Sequence, residues 1–396
     1  MASSLPYQIA ATKMTFLIQR SVNGDVVTLM LSGDIASDHA AELDAILSAD
    51  AGRQVVFDLR DVAVVDRAGI RLLASSEVHG AALTNCPAYV REWIERERDA
   101  QDADPSRARE KPMMEDTATA AEESTFTSTA GLNIFFRSWR PAGMARAVIV
   151  IVPGFNSHSG YYGWAAEQLV TLGVAVYAMD LRGRGKSDGE RFYVATFADY
   201  LSDVDGMVRL ARSHDPELPV FVLGHSAGGV LACLYTVEHP RNLAGLICES
   251  FAFQTPAPEV ALAVLKGLGH IFPHAHVLHL KNEDFSRDPN VVVAMNADPL
   301  IAHETQPTQT VAELVRADER LKNEFSRITL PVLILHGTSD KAAKASGSQV
   351  FFDAAGSKDK TLKLYDGHFH DLLNDVDKET VMEDLKNWLS SRLPAA

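Results

Sequence analysis

The sequence has few cysteines, no long apolar run and a shortage of positive charge. Its three cysteines, Cys86, Cys233 and Cys248, stand far apart and without the spacing of a metal site. We expect them to be small core residues of a protein in a reducing compartment. No stretch reaches the ~18 consecutive apolar residues that a membrane span requires. The formal net charge of −15 argues against nucleic acid as a partner, because a phosphate backbone selects basic surfaces.

The first residues, MASSLPYQ, include neither a basic segment nor an apolar one. They do not have the pattern of a secretory signal, and we expect a cytoplasmic protein. A chain of 396 residues is long for one domain and sufficient for two. The change in composition along the chain agrees with two domains joined by a linker.

Residues 14–98 predict a small α/β domain. Two β-branched segments around a polar turn at Asn23-Gly24 indicate a hairpin, and alternating helices and strands follow. The motifs LSG at 31–33, DL at 58–59 and DRAG at 66–69 stand in this order. Together they resemble the STAS family, the sulphate-transporter and anti-sigma-antagonist domain.

Position 67 departs from that family. In the anti-sigma antagonists a phosphorylatable serine follows the aspartate of this motif, whereas here Arg67 follows Asp66. An arginine cannot accept phosphate and already carries a positive charge, so we expect no kinase-controlled switch at this position. A docking or packing module is expected instead. Its sheet edge or its helices could pair with a second copy of the chain, giving a homodimer, or with another protein.

Residues 99–123 predict a linker. They are rich in charged residues, alanine, serine and threonine, and they contain Pro105 and Pro112. Such a composition buries too little apolar surface to offset the entropy of ordering the chain.

Residues 124–394 predict the larger domain. Five of its strand segments are apolar almost throughout: residues 146–152, 174–179, 219–223, 243–247 and 331–335. Strands of this kind, separated by helices, predict a mostly parallel sheet covered by helices on both faces.

The segment VLGHSAGG at 222–229 follows one of these strands and opens a helix. Gly-x-Ser-x-Gly between a strand and a helix is the pattern of a nucleophile elbow. Ser226 must adopt a strained backbone there, because side chains at Gly224 or Gly228 would collide with the neighbouring strand or helix. The hydroxyl of Ser226 then lies above the sheet, and the N–H of Ala227 points toward a developing oxyanion.

An activated serine needs a base, and the base needs an orienting acid. Asp340 follows one apolar strand, and His368 and His370 follow the next. This is the chain order Ser, acid, His of the α/β-hydrolases. Spacing does not choose between the two histidines. Asp340 is the preferred acid, and its rivals are Glu249, after an earlier strand, and Asp366, near the histidines.

Longer motifs surround these residues: VPGFNSHSGYY at 152–162, DLRGRGKSDGE at 180–190 and LKLYDGHFH at 362–370. From Thr125 onward the chain resembles the monoglyceride lipases and lysophospholipases of the α/β-hydrolase superfamily. The resemblance implies that His370 is the catalytic histidine. It also implies an oxyanion hole formed by the backbone N–H groups of Phe155 and Ala227.

Two positions depart from the lipase pattern. Monoglyceride lipases use a glutamate and an arginine to organise the glycerol end of the site, and this chain has Ser157 and Tyr161 there. We take both as substrate-binding residues. A glycerol diol held by two charges is therefore not required, and esters of larger, more apolar or aromatic alcohols are equally plausible substrates.

Residues 250–322 are too many for a connecting loop and predict an inserted cap. The segment 260–272 is apolar nearly all round. That pattern suits a core helix, and it also suits a lid that accepts lipid and contacts a membrane surface; we expect both roles. The histidines at 270, 274, 276 and 279 do not have a common zinc spacing, so we expect no metal.

The sequence thus predicts an α/β-hydrolase fold preceded by a STAS-like domain. The predicted activity is a serine carboxylic-ester hydrolase without a cofactor, acting on a small-molecule ester through Ser226, His370 and Asp340. The rival from another class is a regulatory protein, in which the hydrolase fold senses a ligand and the STAS-like domain transmits the signal. The complete triad argues against that rival.

Overall fold

The computed structural model describes residues 17–23, 26–35, 54–65, 67–78, 81–87, 90–91, 93–94, 121–253 and 259–394. Most of the predicted linker at 99–123 lies outside these ranges, and so do parts of the predicted domain at 14–98. The chain divides into two compact units, Met1–Glu115 and Asp116–Ala396.

The first unit contains a four-stranded sheet in the order β1-β2-β3-β4. Its elements are β1 (Leu17–Asn23), β2 (Val26–Ile35), β3 (Gln54–Val65), α1 (Arg67–Val78) and β4 (Ala82–Thr84). The predicted hairpin is present, since β1 pairs antiparallel with β2, and the other two pairings are parallel. Val27, Leu29 and Leu31 alternate along β2 into a core that also contains Ile70 and Leu73 of α1. The helix therefore covers one face of this sheet.

The second unit is built on an eight-stranded sheet in the order β14-β13-β10-β9-β7-β8-β6-β5. Its strands are β5 (Glu122–Thr127), β6 (Asn133–Trp139), β7 (Ala147–Val152), β8 (Val174–Met179), β9 (Val220–His225), β10 (Gly245–Glu249), β13 (Val332–Gly337) and β14 (Lys360–Tyr365). The six strands from β14 to β8 are parallel to one another, and β6 pairs antiparallel with both β8 and β5.

The strand β5 begins at Glu122, inside the predicted linker. Glu123 explains the difference, because its carboxylate pairs with Arg137 at 2.7 Å and with Lys186 at 2.8 Å. Glu123, which the charged composition of the segment assigned to the linker, is therefore a partner of basic groups in the folded unit.

Helices cover both faces of the large sheet, as the apolar strands predict. The helices that do so are α2 (Gly163–Val170), α3 (Phe197–His214), α4 (Ala227–Glu238), α8 (Ala345–Ala354) and α9 (Lys378–Ser390). The helices α5 (Glu259–Ile271), α6 (Pro289–Ala297) and α7 (Thr308–Glu324) belong to an insertion. Alternate residues of β7 enter different cores: Val148 and Val150 pack with α3 and α4, whereas Ile149 and Ile151 pack with α2 and α9. This burial on both faces holds the carboxyl ends of the strands in one row.

The chain between β10 and β13 forms an insertion that contains α5, α6, α7, β11 (His276–Leu278) and β12 (Gln306–Pro307). Leu314, Ala317 and Leu321 of α7 belong to the same core as α4, so the insertion is anchored to the main sheet. Within the described part of the chain, no helix has the length and apolar character needed to cross a membrane.

Candidate active site

Ser226 lies at the sharp junction between β9 and α4. Its backbone angles are φ 55° and ψ −121°, a region that L-residues seldom occupy. The junction can approach the rest of the sheet only because position 228 is glycine: a Cβ on Gly228 would lie 2.1 Å from the carbonyl oxygen of Val152. The strand, turn and helix predicted around the Gly-x-Ser-x-Gly motif are all present.

Three predicted residues meet at this junction. The Oγ atom of Ser226 lies 2.8 Å from Nε2 of His370. The Nδ1 atom of His370 lies 2.7 Å from Oδ2 of Asp340. Ser226 is 7 % exposed and His370 only 1 %, so these contacts are shielded from water. The shielding strengthens charge interactions among the three side chains.

Asp340 has a second imidazole partner that the sequence reading missed, His336, whose Nε2 lies 3.0 Å from Oδ2. Burial by itself would raise the pKa of Asp340. The nearby His370 and the hydrogen bond from His336 outweigh burial and hold the pKa of this carboxyl well below its usual range. Asp340 is therefore a charged hydrogen-bond acceptor at neutral pH. The sequence signal for His336 was its place at the end of a buried strand, four residues before Asp340.

The other predicted candidates lie elsewhere. The Oε1 atom of Glu249 accepts a hydrogen bond from the backbone N–H of Leu373 at 3.0 Å. Asp366 is exposed and accepts a hydrogen bond from Thr338 at 3.1 Å. The Nδ1 atom of His368 lies 3.9 Å from a carboxylate oxygen of Asp375. Glu249 and Asp366 each have a local hydrogen-bond partner, whereas Nδ1 of His368 has none among the described residues. The side-chain contacts recorded for these three residues do not include Ser226.

The loop after β7 brings Phe155 beside the elbow. Gly154 shows how close this approach is, because a Cβ there would lie 2.7 Å from the Cβ of Ser226. Across residues 121–253 and 259–394, no acceptor is paired with the backbone N–H of Phe155 or of Ala227. Both N–H groups belong to segments next to Ser226, and unpaired donors near a nucleophile are the groups that can stabilise an oxyanion.

Ser157 and Tyr161, the predicted substrate-binding residues, have partners inside the protein. The hydroxyl of Ser157 lies 3.4 Å from that of Tyr162. Tyr161 donates a hydrogen bond to Oδ2 of Asp298 at 2.8 Å, and Nε2 of His158 lies at the same distance from that oxygen. Burial and the Asp298 charge raise the pKa of Tyr161, so its hydroxyl is neutral at any physiological pH.

A second cluster behind the triad could not be read from the sequence, because its members lie far apart along the chain. Donor atoms of His225, Glu249 and Asp371 lie within 4.8 Å of one another, and all three residues are buried. These residue types can bind a metal. Burial also shifts their pKa values. It raises the pKa of Glu249 well above its usual value and that of Asp371 to about 6. It lowers the pKa of His225 to about 3.

The insertion also forms a polar pocket of about 300 Å³. It lies next to the loop after β7, since Asn156 is in its wall with Asn282, Asn296 and Glu304 of the insertion. The histidines at 270, 274, 276 and 279 have separate hydrogen-bond partners: His270 contacts Arg316, His274 contacts Glu190, His276 contacts Thr305 and His279 contacts the carbonyl of Glu304.

Comparison with known proteins agrees with this geometry. The Hydrolase_4 family, described as serine aminopeptidase S33, matches residues 143–377. The monoacylglycerol lipase of Mycolicibacterium smegmatis is 31 % identical over 278 residues, which are 70 % of this chain and 99 % of that protein. The human monoglyceride lipase is 33 % identical over 271 residues, 67 % of this chain and 89 % of that protein. The crystal structure of the Paleococcus ferrophilus monoacylglycerol lipase matches with a TM-score of 0.60 at 29 % identity, covering 65 % of this chain and 99 % of that one.

These similarities confirm the predicted α/β-hydrolase fold and the predicted ester-hydrolase activity, and they do not favour the alternative of a non-catalytic sensor. The chain belongs to the serine aminopeptidase S33 (Hydrolase_4) family of α/β-hydrolases, and it is a carboxylic ester hydrolase.

Proposed function

We propose that Ser226, His370 and Asp340 are the catalytic residues of a serine esterase that works through an acyl-enzyme. The observation that carries this proposal is the pair of contacts at 2.8 Å and 2.7 Å that joins the three side chains. Ser226 attacks the ester carbonyl while His370 takes its proton, and His370 then gives that proton to the leaving alcohol. Asp340 stays ionised and holds the imidazole in position. A water activated by His370 then hydrolyses the acyl-enzyme.

The oxyanion formed in each step is stabilised by the backbone N–H groups of Phe155 and Ala227. Two observations support this assignment: the backbone at Gly154 lies close to Ser226, and a helix starts at Ala227. The N-terminus of α4 adds the positive end of a helix dipole to the same place. Loss of one such donor in a related site lowers kcat by about 10² to 10³.

The substrate class we propose is lipid-like and other apolar esters. Relatives named monoacylglycerol lipase and monoglyceride lipase support acyl glycerols as substrates. Ser157 and Tyr161 would border the alcohol part, yet the hydroxyl of Tyr161 is already bound to Asp298. Esters of simple alkyl or aromatic alcohols are therefore substrates alongside monoacylglycerols, since no pair of charges is reserved there for glycerol hydroxyls.

The insertion is the proposed cap, and it offers a surface for peripheral contact with lipid. Large apolar side chains are exposed on α5, just after it, on β11 and on α6: Leu268, Ile271, Phe272, Val277 and Val293. Ile271 is 68 % and Phe272 60 % exposed. Contact with an acyl-chain interface would bury these groups, each worth about 1.5–3 kcal/mol when fully buried. Flotation with phosphatidylcholine vesicles tests this contact, and Phe272→Ser should reduce the bound fraction.

We also propose a division into a STAS-like domain at 14–98, a linker at 99–123 and a hydrolase domain at 124–394. The first unit supports this with its own sheet and its own core. A second copy of the chain or another protein is the partner we propose for it. Cys233 and Cys248 are free thiols with their sulfur atoms 3.6 Å apart, which supports a reducing, cytoplasmic location.

Replacement of the nucleophile tests the proposed mechanism. Ser226→Ala should lower kcat on p-nitrophenyl butyrate by about 10⁴-fold or more and leave the circular dichroism spectrum unchanged. Diethyl p-nitrophenyl phosphate should add one phosphoryl group to the parent, located at Ser226 by mass spectrometry. Turnover by the alanine variant within about tenfold of the parent, or labelling of another residue, would exclude this assignment.

A further inference from the structure

The loop that carries Phe155 is held by one carboxylate from the insertion. The Oε1 atom of Glu304 accepts a hydrogen bond from the backbone N–H of Asn156 at 2.9 Å and another from Nε2 of Gln306 at 2.8 Å. The same oxygen forms an ion pair with Arg184. Glu304 is 2 % exposed and Arg184 is 1 % exposed, so water does not compete for these contacts.

Arg184 contacts the same loop from the other side. Its guanidinium carbon lies 4.0 Å from the centre of the Phe155 ring, a favourable cation–π distance. Its remaining donors are also bound, to Oε1 of Gln306 at 2.6 Å and to the carbonyl of Phe192 at 3.2 Å. The guanidinium group of Arg184 is therefore fixed in orientation, and it cannot move away from the Phe155 ring without breaking several hydrogen bonds.

The two contacts bracket the N–H group that we assign to the oxyanion hole. Asn156 follows Phe155 directly and has φ 51°, a left-handed conformation that an L-residue holds only with support from its surroundings. The hydrogen bond to Glu304 provides that support at the backbone, and Arg184 provides it at the side chain. Without them the loop can relax, and Phe155 then turns its N–H away from the reacting oxygen.

We propose that Glu304 and Arg184 are positioning residues that hold the Phe155 N–H in line with the developing oxyanion. The proposal rests on the assignment of Phe155 under the proposed function. Glu304 belongs to the insertion, whereas Phe155 and Arg184 belong to loops after β7 and β8. The proposed oxyanion hole therefore depends on a contact supplied by the insertion.

Two double variants separate this role from stability. The leucine double variant, Arg184→Met with Glu304→Leu, removes both charges of the buried ion pair together. It also removes the acceptor for the Asn156 N–H and the partners of the Gln306 amide, so we expect some loss of stability. The glutamine double variant, Arg184→Met with Glu304→Gln, also removes both charges and keeps an oxygen for that N–H.

The matched control is Arg182→Met with Asp203→Leu. That ion pair is also buried, with contacts of 2.6 Å and 2.8 Å between the guanidinium and the carboxylate. Glu304, Asn156 and Phe155 are not among the partners recorded for it. The control therefore reports what the loss of a buried ion pair does when the loop that carries Phe155 is left untouched.

We expect the leucine double variant to lose about tenfold or more in kcat on p-nitrophenyl butyrate, with KM changed less than about threefold, because a donor shifted by about 1 Å acts mainly on the transition state. Its rate of phosphorylation by diethyl p-nitrophenyl phosphate should fall by a similar factor. The Arg182/Asp203 control should keep kcat within about threefold of the parent. The glutamine double variant should lose less kcat than the leucine double variant, because it keeps an acceptor for Asn156 and lacks only the contact of Arg184 with the Phe155 ring. Thermal midpoints of all three show how far stability contributes.

Two results overturn the inference. One is an unchanged kcat and phosphorylation rate in the leucine double variant, and the other is an equal loss in the glutamine double variant or in the control. If the leucine double variant fails to fold, Glu304→Asp tests the same point, because it keeps the charge and withdraws the oxygen from Asn156. A parent in which diethyl p-nitrophenyl phosphate does not label Ser226 would refute the proposed function itself, so the two failures are distinguishable.

Discussion

The Nε2 atom of His336 lies 3.0 Å from Oδ2 of Asp340, and neither side chain is exposed to water. His336 is itself fixed, since its Nδ1 lies 2.7 Å from the hydroxyl of Ser348. The other oxygen of Asp340 accepts hydrogen bonds from the backbone N–H groups of Ala342 at 2.8 Å and Ala343 at 2.9 Å. Asp340 therefore has a fixed orientation before His370 is considered.

His336→Ala should reduce both stability and turnover. It removes one donor from a buried carboxylate, which costs about 1–3 kcal/mol of the free energy of unfolding. It also loosens the acid that orients His370, so kcat should fall by about tenfold while KM changes little. Urea unfolding and steady-state kinetics measure the two effects. A variant with full kcat but lower stability would show that His336 has no part in orienting Asp340.

The two histidines and the two buried acids should differ sharply in their effects on catalysis. His370→Ala and Asp340→Asn should each lower kcat by about 10³-fold or more, because they remove the base or its orientation. His368→Ala and Glu249→Gln should cost less than about tenfold, since these side chains contact Asp375 and Leu373 instead of the triad. The reverse ranking in either pair would contradict the assignment.

The buried carboxyls behind the triad should make stability depend on pH. The folded-state pKa of Glu249 lies well above its ordinary 4.5, and that of Asp371 rises from 3.8 to about 6. In the folded protein these two carboxyls therefore bind more protons above pH 4 than they do in the unfolded chain, and their contribution to stability is lost as the pH rises through these folded-state values. Asp340 and His225 act in the opposite sense. The contribution of Asp340 is complete above its ordinary pKa of 3.8 and is constant from pH 5 to 8, whereas burial lowers the pKa of His225 from 6.5 to about 3, so its contribution increases up to about pH 6.5.

Glu249→Gln should therefore remove the part of the pH dependence that comes from this carboxyl, so the free energy of unfolding should decrease less between pH 5 and pH 8 in the variant than in the parent. Denaturant unfolding at these two pH values measures the difference for the parent and the variant. The exposed Asp366 gives the matched control, and Asp366→Asn should leave the slope as it is in the parent. An unchanged slope in Glu249→Gln would mean that this carboxyl ionises as readily in the folded protein as in the unfolded chain.

Substrate preference should not be dominated by glycerol. The hydroxyl of Tyr161 is bound to Asp298, and Ser157 carries no charge, so the alcohol end of the ester gains little from glycerol hydroxyls at these positions. We expect kcat/KM for a monoacylglycerol to exceed that for the ethyl ester of the same acid by less than about 100-fold, a difference of about 2.7 kcal/mol. A larger ratio would place a dedicated glycerol site in the enzyme.

The hydrolase unit should work without the first unit. A truncated protein that starts at Asp116 keeps β5 and the ion pairs of Glu123, together with every residue of the proposed site. Its kcat on p-nitrophenyl butyrate should stay within about threefold of the full chain. Its mass in solution, measured by light scattering, should change if the first unit mediates self-association. A folded but inactive truncated protein would show that residues before 116 help to build the site.

The sequence predicted the parts of the site that are local in the chain or follow from strand order. The elbow needs two glycines and a serine within five residues, and Asp340 follows a buried strand, so pattern alone was enough to propose Ser226 and to prefer Asp340. Pattern left His368 and His370 as alternatives, and the resemblance to the monoglyceride lipases selected His370. His336, the His225–Glu249–Asp371 cluster and the Arg184–Glu304 pair were missed. The cluster and the ion pair join residues that are distant in sequence. His336 lies close to Asp340 in sequence, but its pattern is that of a residue in a buried strand. Such contacts depend on how loops pack, which periodicity does not record.

The strained backbone of Ser226 lowers thermal stability at a position where the side chain is needed for catalysis. A residue held at φ 55° and ψ −121° stores about 1–3 kcal/mol of strain, and glycine is the residue that releases it. A glycine at this position would lack the nucleophile and still fit the turn, so the inactive protein would unfold at a higher temperature than the active one. Laboratory evolution for thermal stability alone would therefore drift toward loss of the enzyme, and any such selection needs a simultaneous screen for turnover.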